Sequence, residues 1–508
     1  MQLLLGAEIG TQGIRGVVVD ENLEVVARQG FEHNLVELQP GWAEHDTDQV
    51  WWRGFKSVVK ELLRTVSAKD IRCISCSGIY PCLLPATGAS PLRRAILYND
   101  TRAVSEIGEV QALTERLKTQ TRNSFSTQSV VPKMLWLKKN ENELYRKADR
   151  FFTSNNYIIY KLTNRYVLDY AQTMHYEPLY CFAEKGWSEE CARLIGLNLK
   201  NLPALLKPIE VAGHITEEAA LECGLQEGTP VAVSSSDAVA EILSMGGEKE
   251  GRVSLLYGSS GVISLTTDNE FPPGSLSVIP HPVLKDRFWW TSGPTAAAIL
   301  TKWFRDNFAG SEIELASSRG ISSYELLSAG AESISEGSEG LIVLPYFSGE
   351  RHPIIDPQAR GVFLGLTTYH TRLHMYRALL EGVAYSFRQS LEEITGHGKE
   401  VKDIVSGGGG AKSRLWVQIV SDVTGYDQLV PLRATGADIG SAYMAGLAVG
   451  LIDNIWDLQT KVLDGAREIT CQPGANSTYQ KFYELYKGLY PKMKEDMHRL
   501  AELGNANR

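Results

Sequence analysis

The sequence predicts an α/β fold made of two similar domains. A chain of 508 residues is too long for one hydrophobic core, and we expect it to divide into two large domains. Each half of the sequence opens with the same arrangement, which is an apolar strand, a glycine-rich turn and a second apolar strand. Alternating strand and helix patterns follow each copy. Such a duplication predicts two related sheets that face each other across a cleft.

The composition is that of an ordinary globular protein. Hydrophobic residues make up 43% and charged residues 22% of the chain, which allows a large buried core and a wet surface. The net charge of -9 argues against a general affinity for nucleic acid or an anionic membrane, because both require a basic face. No apolar run approaches the ~18 residues that span a bilayer, and the first residues lack the basic segment of a signal peptide. We therefore expect a soluble protein.

The seven cysteines are scattered along the sequence. Cys73 and Cys76 form a C-x-x-C pair, but they lie in the apolar run IRCISCSGIY. Buried strand thiols are the favoured interpretation, and metal or redox chemistry is the alternative. This use of cysteine fits a reduced, cytoplasmic setting.

The two strand–turn–strand copies are the first candidate functional elements. An apolar run at 3–8 is broken by GTQG at 10–13, and a second run at 253–257 is broken by GSSG at 258–261. Glycines in such turns let the backbone approach a ligand closely, and successive N–H groups beside a Thr or Ser hydroxyl form a phosphate cradle. Two ordinary glycine-rich hairpins are the alternative. The presence of two copies favours a nucleotide held between them.

The remaining pattern predicts the domain boundary and the longer helices. The polar stretch GGEKEG at 246–251 predicts domains at 1–247 and 248–508. Helical patterns occur at 133–140, at 141–148, within 311–340, and at 371–394. The last helix carries apolar or small residues at spacings of three and four, which predicts one buried stripe. The residues of that stripe are Met375, Ala378, Leu379, Gly382, Val383, Ser386 and Phe387.

A run of four glycines at 407–410 follows a short strand and opens a helix. Glycine N–H groups at a helix start suit the anionic part of a nucleotide. Lys412 and Ser413 imitate the end of a Walker P-loop, but that pattern requires glycine at the positions of Ser406 and Ala411. We therefore reject a P-loop and expect a different nucleotide-binding turn, with a purely structural glycine turn as the alternative.

Several segments together resemble the FGGY family of carbohydrate kinases. The most specific are LPYFSGERHP at 344–353 and GVFLGL at 361–366, and further matches are GWAEHD at 41–46, AILYNDTR at 95–102 and KMLW at 133–136. Within the family, the sequence is most similar to the xylulokinase branch. The resemblance implies two actin-like (ribonuclease H-like) domains that hold ATP, Mg²⁺ and a small sugar in the cleft between them. A homodimer is common in the resembling family.

The resemblance also implies roles for particular residues. Asp237, in VSSSDA, matches the family's catalytic aspartate, whose carboxylate takes the proton of the attacking hydroxyl. Without the family, an N-cap of the following helix would be the favoured role for this residue. The implied sugar-side residues are Tyr80, Pro81, Asp100 and Arg102, and the implied metal-side residue is Glu8. The implied nucleotide-side residues are Gly10, Thr11, Gln12, Arg15, Gly258, Ser259, Gly293, Gly409, Gly410 and Ser413. Turn glycines and surface charges are the alternative for each of them.

The sequence departs from the family pattern on the metal side and on the sugar side of the expected site. Glu8 stands where the family usually has Asp, and displacing a carboxylate by about 1 Å can cost ~100-fold in rate. On the sugar side, SGIYPC at 77–82 replaces the pattern S-G-Q-M-H-G, and Ala238 replaces a usual Asn. A site with other hydrogen-bonding groups should prefer another sugar. We therefore expect a kinase for a ketose such as xylulose or for a related pentose or polyol, with a sugar acid as a further candidate substrate. A degenerate member that binds nucleotide or sugar with little catalysis is the main alternative, and an ATPase or chaperone of the same superfamily is a weaker one.

Overall fold

The computed structural model describes residues 2–34, 36–37, 39, 41–117, 121–271 and 274–506. Within this described part, the chain forms 25 strands and 16 α-helices. The strands of the first half are β1 (Leu3–Ile9), β2 (Gly13–Asp20), β3 (Val25–Glu32), β4 (Val36–Glu37), β5 (Ala43–His45), β6 (Ile71–Gly78), β7 (Leu84–Thr87), β8 (Ser90–Pro91), β9 (Ala95–Ile96), β10 (Arg150–Phe152), β11 (Val167–Asp169), β12 (Tyr180–Cys181), β13 (Gly186–Trp187), β14 (Ala204–Leu206), β15 (Val211–His214) and β16 (Pro230–Ala232). The helices of the first half are α1 (Arg53–Leu62), α2 (Ile107–Leu117), α3 (Val130–Asn140), α4 (Asn142–Lys147), α5 (Ser154–Thr163), α6 (Glu189–Ile195), α7 (Glu217–Cys223) and α8 (Asp237–Ser244).

The second half begins at the strand that follows GGEKEG. Its strands are β17 (Arg252–Tyr257), β18 (Gly261–Thr267), β19 (Ser277–Pro280), β20 (Phe288–Ser292), β21 (Ile342–Leu344), β22 (Val362–Leu364), β23 (Asp403–Gly407), β24 (Gln428–Val430) and β25 (Arg467–Ile469). Its helices are α9 (Ala298–Phe308), α10 (Gly310–Arg319), α11 (Ser323–Glu332), α12 (Arg372–Gly396), α13 (Arg414–Thr424), α14 (Ala437–Ala448), α15 (Ile455–Leu463) and α16 (Pro473–Ala506).

The two halves contain sheets of the same design. The sheet of the first half has the order β15-β16-β6-β1-β2-β3, and that of the second half has the order β19-β20-β18-β17-β23-β24-β25. In each sheet the opening strand pairs antiparallel with the next strand and parallel with a later one, β6 or β23. The predicted strand–turn–strand copies and the two-domain α/β fold are therefore confirmed. Cys73 and Cys76 lie buried in β6, as expected for strand thiols.

Helix α14 belongs to the second half by sequence but packs against the sheet of the first half. A Cβ atom on Gly6 of β1 would lie 2.0 Å from the main-chain oxygen of Asp438, so only glycine permits this approach. On the other face of the same sheet, a Cβ atom on Gly16 would meet Val58 of α1. The first sheet is therefore sandwiched between a helix of its own half and a helix of the other.

The predicted helical segments are confirmed as α3, α4, α10, α11 and α12, with one correction for α12. The prediction gave α12 a single buried stripe. The structure instead buries every side of the helix between Tyr376 and Phe387, because sheet, α13 and α16 surround it. Met375, at the edge of the predicted stripe, is only partly buried.

The long C-terminal helix α16 is anchored to the segment that follows β21. The Tyr490 hydroxyl donates to Asp356 Oδ2 at 2.6 Å, and His498 Nε2 lies 2.7 Å from the same oxygen. The carbonyl and N–H of Asp356 pair in turn with Glu350. The helix thereby holds the segment LPYFSGERHP in place. No helix in the described residues is long and apolar enough to cross a membrane.

Candidate active site

The first turn brings Glu8 and Arg15 together at the end of the β1–β2 hairpin. Gly10 N–H donates to the Gly13 carbonyl at 2.9 Å, and the register places Glu8 directly opposite Arg15. Arg15 Nη1 lies 3.5 Å from Glu8 Oε2, and the Glu8 side chain is only 13% exposed. Among the described residues, Oε2 has no hydrogen-bond donor. This oxygen is therefore available to a ligand. 

Asp237 is the first residue of α8 rather than its cap. The cap is Ser236, whose hydroxyl accepts from Val239 N–H at 3.3 Å. Asp237 Oδ1 accepts from the next backbone N–H, that of Ala238, at 2.8 Å. A bridge between Gly78 and Ser236 sets Asp237 beside the loop that follows β6. The carboxylate is thus free of the capping role and lies next to the sugar-side loop.

Three carboxyl groups share this end of the first sheet. Burial raises the pKa of Glu8 to about 7, and nearby Arg15 and Arg28 only partly oppose the effect. Burial and the Glu8 charge raise the pKa of Glu241 to about 7. The pKa of Asp237 lies well above its usual range because of burial, followed by the charges of Glu8 and Glu241. A positive charge entering the site would relieve this repulsion.

The second turn lies at the start of helix α9. The carbonyls of Gly258 and Ser259 accept N–H bonds of 2.9 Å from Ala298 and Ala297. Gly293 closes the same corner with a φ of 135°, and a Cβ atom there would lie 2.5 Å from the Gly261 carbonyl. Gly261 N–H donates to the Pro294 carbonyl at 3.0 Å, so the phosphate cradle predicted for this turn stays a prediction.

The glycine run forms the third nucleotide-side element. Strand β23 ends at Gly407, and Gly408 turns the chain with a φ of 87°. Gly409 and Gly410 then begin a 3-10 turn that leads to Ser413, the N-cap of α13. The Ser413 hydroxyl also lies 3.1 Å from that of Ser328 on α11. This arrangement matches the predicted strand, turn and helix.

On the sugar side, two predicted residues bind each other. Arg102 donates through Nε and Nη2 to both carboxylate oxygens of Asp100 at 2.8 and 2.6 Å, and Nη2 also lies 2.8 Å from Glu44. Asp100 accepts a further bond of 2.7 Å from Ala43 N–H. Both side chains are buried. Their charges are therefore neutralised inside the protein, and their predicted contact with sugar stays a prediction.

The other two predicted sugar-side residues lie in the loop after β6. The Tyr80 hydroxyl donates to the Gln172 carbonyl, and its ring makes an edge contact with His175 at 5.1 Å. Pro81 is buried beside it. Tyr80 can thus offer its ring to a substrate, while its hydroxyl holds the 3-10 helix Tyr170–Tyr176 in place.

Two residues that the sequence interpretation did not assign also belong to the site. Tyr98 shares a hydrogen bond with the Thr11 hydroxyl and interacts electrostatically with Asp237 and Arg351. It lies inside the segment AILYNDTR, so the resemblance itself carried the signal. Glu241 lies one helical turn after Asp237, and the spacing of four residues could have indicated a shared face.

Comparisons with known proteins extend over both halves. The FGGY family of carbohydrate kinases, N-terminal domain, matches residues 3–244, and its C-terminal domain matches residues 253–449. A xylulose kinase of Bacillus subtilis is 28% identical over 501 residues, covering 97% of this chain and 98% of the relative. A gluconokinase of the same organism is 29% identical over 467 residues, covering 89% and 88%. The crystal structure of xylulose kinase from Rhodospirillum rubrum superposes with a TM-score of 0.85 at 28% identity, covering 98% of this chain and 100% of that one.

Proposed function

Since the chain belongs to the FGGY family of carbohydrate kinases, we propose that it transfers the γ-phosphate of ATP to a hydroxyl of a small sugar. The substrate class is a ketose such as xylulose, or a related pentose or polyol. The observation that carries the proposal is the position of Asp237. Its carboxylate is relieved of capping by Ser236 and lies beside the sugar-side loop.

In the proposed reaction, Asp237 takes the proton of the attacking hydroxyl. The sugar oxygen forms a bond to the γ-phosphorus while the bond from that phosphorus to the bridging oxygen of ADP breaks. The raised pKa of Asp237 makes its ionised form a stronger base. The turns at 10–13 and 258–261 bind the phosphates from opposite domains, for which we propose the boundaries 1–247 and 248–508.

The residues of the site fit a Mg²⁺ ion shared with the nucleotide. In the described residues, no group of three His, Cys, Asp or Glu side chains could hold a metal alone. Mg²⁺ is commonly held by one or two carboxylates together with phosphate oxygens and water. Glu8 would be such a ligand, because its buried Oε2 has no hydrogen-bond donor among the described residues. When bound, the ion would neutralise charge on the phosphates.

Three basic side chains lie near Tyr80, and their partners bear on the charge of the substrate. Arg102 is paired with Asp100 and Glu44. Lys133 is fully buried and donates to the Thr127 carbonyl. Burial and the Lys133 charge lower the pKa of His175 to about 3, so its ring is neutral. Arg102 Nη1, however, has no hydrogen-bond partner among the described residues, so it remains available to a hydroxyl or a carboxylate of the substrate.

A release assay for ADP tests the proposal. Purified protein with Mg-ATP is presented with ketoses, polyols and aldonates, and ADP is measured against the rate without sugar. We expect at least one ketose or polyol to stimulate turnover. If none of the sugars raises ADP release above the rate measured without sugar, the proposed kinase activity is rejected. The degenerate alternative, favoured by Glu8 in place of Asp, would then be supported by saturable nucleotide binding without turnover.

A further inference from the structure

Arg351 is hydrogen-bonded to the second phosphate turn. Its Nε donates to the Gly293 carbonyl at 3.3 Å, and its Nη2 donates to the Gly261 carbonyl at 3.1 Å. Both acceptors belong to the corner formed by the turn at 258–261 and the end of β20. The guanidinium is thus fixed at the edge of the turn that would hold the phosphates of ATP.

The same guanidinium also interacts with a residue of the first half. Its charge interacts with Tyr98, which hydrogen-bonds Thr11 of the first turn and interacts with Asp237. Among the described residues, no carboxylate forms an ion pair with Arg351, and no acceptor binds its Nη1 amino group. Arg351 is partly exposed, so its unengaged Nη1 group can bind an anionic ligand.

The neighbouring Glu350 acts on Arg351 through its charge but forms no ion pair with it among the described residues. Its Oε1 is occupied by the backbone N–H groups of Thr295 and Arg351, at 2.6 and 2.8 Å. Glu350 instead shapes the loop from which Arg351 extends, with the help of the α16 anchor at Asp356.

From this geometry we infer that Arg351 is a catalytic residue that binds the γ-phosphate of ATP through its free Nη1 group. It supplies from the C-terminal domain a positive charge that the Gly-rich turns lack. A fork of N–H donors matches phosphate oxygens, and charge at the transferring phosphoryl group stabilises the transition state. The inference rests on the proposed kinase function, because it presumes that ATP occupies the cleft.

Binding of two nucleotides that differ only in the γ-phosphate tests the inference. Calorimetric titrations compare Mg-ADP with a non-hydrolysable Mg-ATP analogue in the wild type, Arg351→Gln and Arg351→Lys. We expect Arg351→Gln to weaken the triphosphate analogue by about tenfold to 100-fold, the value of a charge-assisted bond, with unchanged ADP affinity. Arg351→Lys should recover part of the loss, because it restores the charge without the fork.

Arg360→Gln is the matched control. Arg360 also donates to two carbonyls of the same segment, those of Pro357 and Ala359, but makes no link to the first turn. The Arg360→Gln variant should bind Mg-ADP and the triphosphate analogue with the same affinities as the wild type. If Arg351→Gln weakens both nucleotides equally, Arg351 only fixes the turn, and the inference is wrong. Unchanged affinity for the analogue also overturns it. This binding test needs no sugar, so a failure of every sugar to support wild-type turnover would reject the proposed function separately.

Discussion

Arg28 and Asp438 join the two halves of the protein through a bidentate ion pair. Arg28 on β3 donates through Nε and Nη2 to the two oxygens of Asp438 on α14, both at 2.7 Å. The Asp438 side chain is fully buried, whereas that of Arg28 is 37% exposed. The same two charges act on Glu8 with opposite signs. The pair therefore influences both the interface and the active site.

Removal of Arg28 should destabilise the protein. Arg28→Met leaves Asp438 buried without its partner, and we expect a loss of about 1 to 3 kcal/mol in the free energy of unfolding, reduced by the partial exposure of Arg28. Chemical denaturation measures it, and Arg28→Met/Asp438→Asn should recover part of the loss. Arg64→Ala, which breaks an exposed pair with Glu61, is the control and should change stability little. A loss as small as that of the control would contradict the prediction.

Asp237→Asn should separate catalysis from nucleotide binding. Loss of the base is expected to lower sugar-dependent kcat by about 100-fold to 10,000-fold, while Mg-ADP affinity stays close to that of the wild type. Steady-state kinetics and calorimetry measure the two quantities. Ser236→Ala, which removes only the cap of α8, should cost about 1 kcal/mol of stability and retain far more turnover. Parallel loss of turnover and ADP binding in Asp237→Asn would indicate misfolding instead of a lost base.

Glu8→Asp should lower activity although it restores the residue type usual in the family. Glu8 lies opposite Arg15 at 3.5 Å, and shortening the side chain would draw its carboxylate away by more than an ångström. We expect kcat to fall by about tenfold to 100-fold, and Glu8→Gln to lose more. Titration of Mg²⁺ in the same assay should show weaker apparent metal affinity in both variants. An increase in kcat for Glu8→Asp would contradict this prediction and would mean that glutamate lowers the activity of the site relative to aspartate.

Glu241→Gln should stabilise the protein at alkaline pH. The pKa of Glu241 is raised to about 7 from 4.5, so the folded state binds this proton more tightly than the unfolded state. The stabilising effect of that proton is present at low pH and is lost as pH rises through about 7. The glutamine side chain cannot ionise. The free energy of unfolding of the variant should therefore exceed that of the wild type by an amount that grows to about 1 to 3 kcal/mol near pH 8. Thermal unfolding between about pH 5 and pH 8 measures it, and an advantage that does not change with pH would refute the assignment.

The parts of the fold that depend on local pattern were accessible from the sequence. Both glycine turns interrupt long apolar strands, and the helix at 371–394 has a clear period, so each was predicted in place. Helix α14 was not, since its sequence ADIGSAYMAGLA is small and apolar on most sides and gives no indication of which sheet it covers. Packing against β1 is set by the matching glycine at position 6, which is more than 400 residues away.

The residue types of the candidate site were predicted from the sequence, but their hydrogen-bond partners were not. The resemblance identified Asp237, but only the structure assigns the cap to Ser236. The sequence showed that Tyr80 departs from the family pattern. It did not show the hydrogen bond from Tyr80 to the carbonyl of Gln172, because the two residues are 92 positions apart. Arg351 lies in the most specific motif, yet the two carbonyls that fix it are 58 and 90 positions away. Partners this distant in sequence leave no local signal.

The position of α14 also bears on how the protein can be divided or recombined. An excised fragment 1–247 would present Leu4, Val17 and Val19 to water, because the helix that buries them is encoded near the end of the gene. Such a fragment should aggregate when expressed alone and should be rescued by co-expression of the remainder. For the same reason, a chimera between two relatives should take α14 and the first half from the same parent. The junctions of an active chimera would then not coincide with the proposed boundary at residue 247.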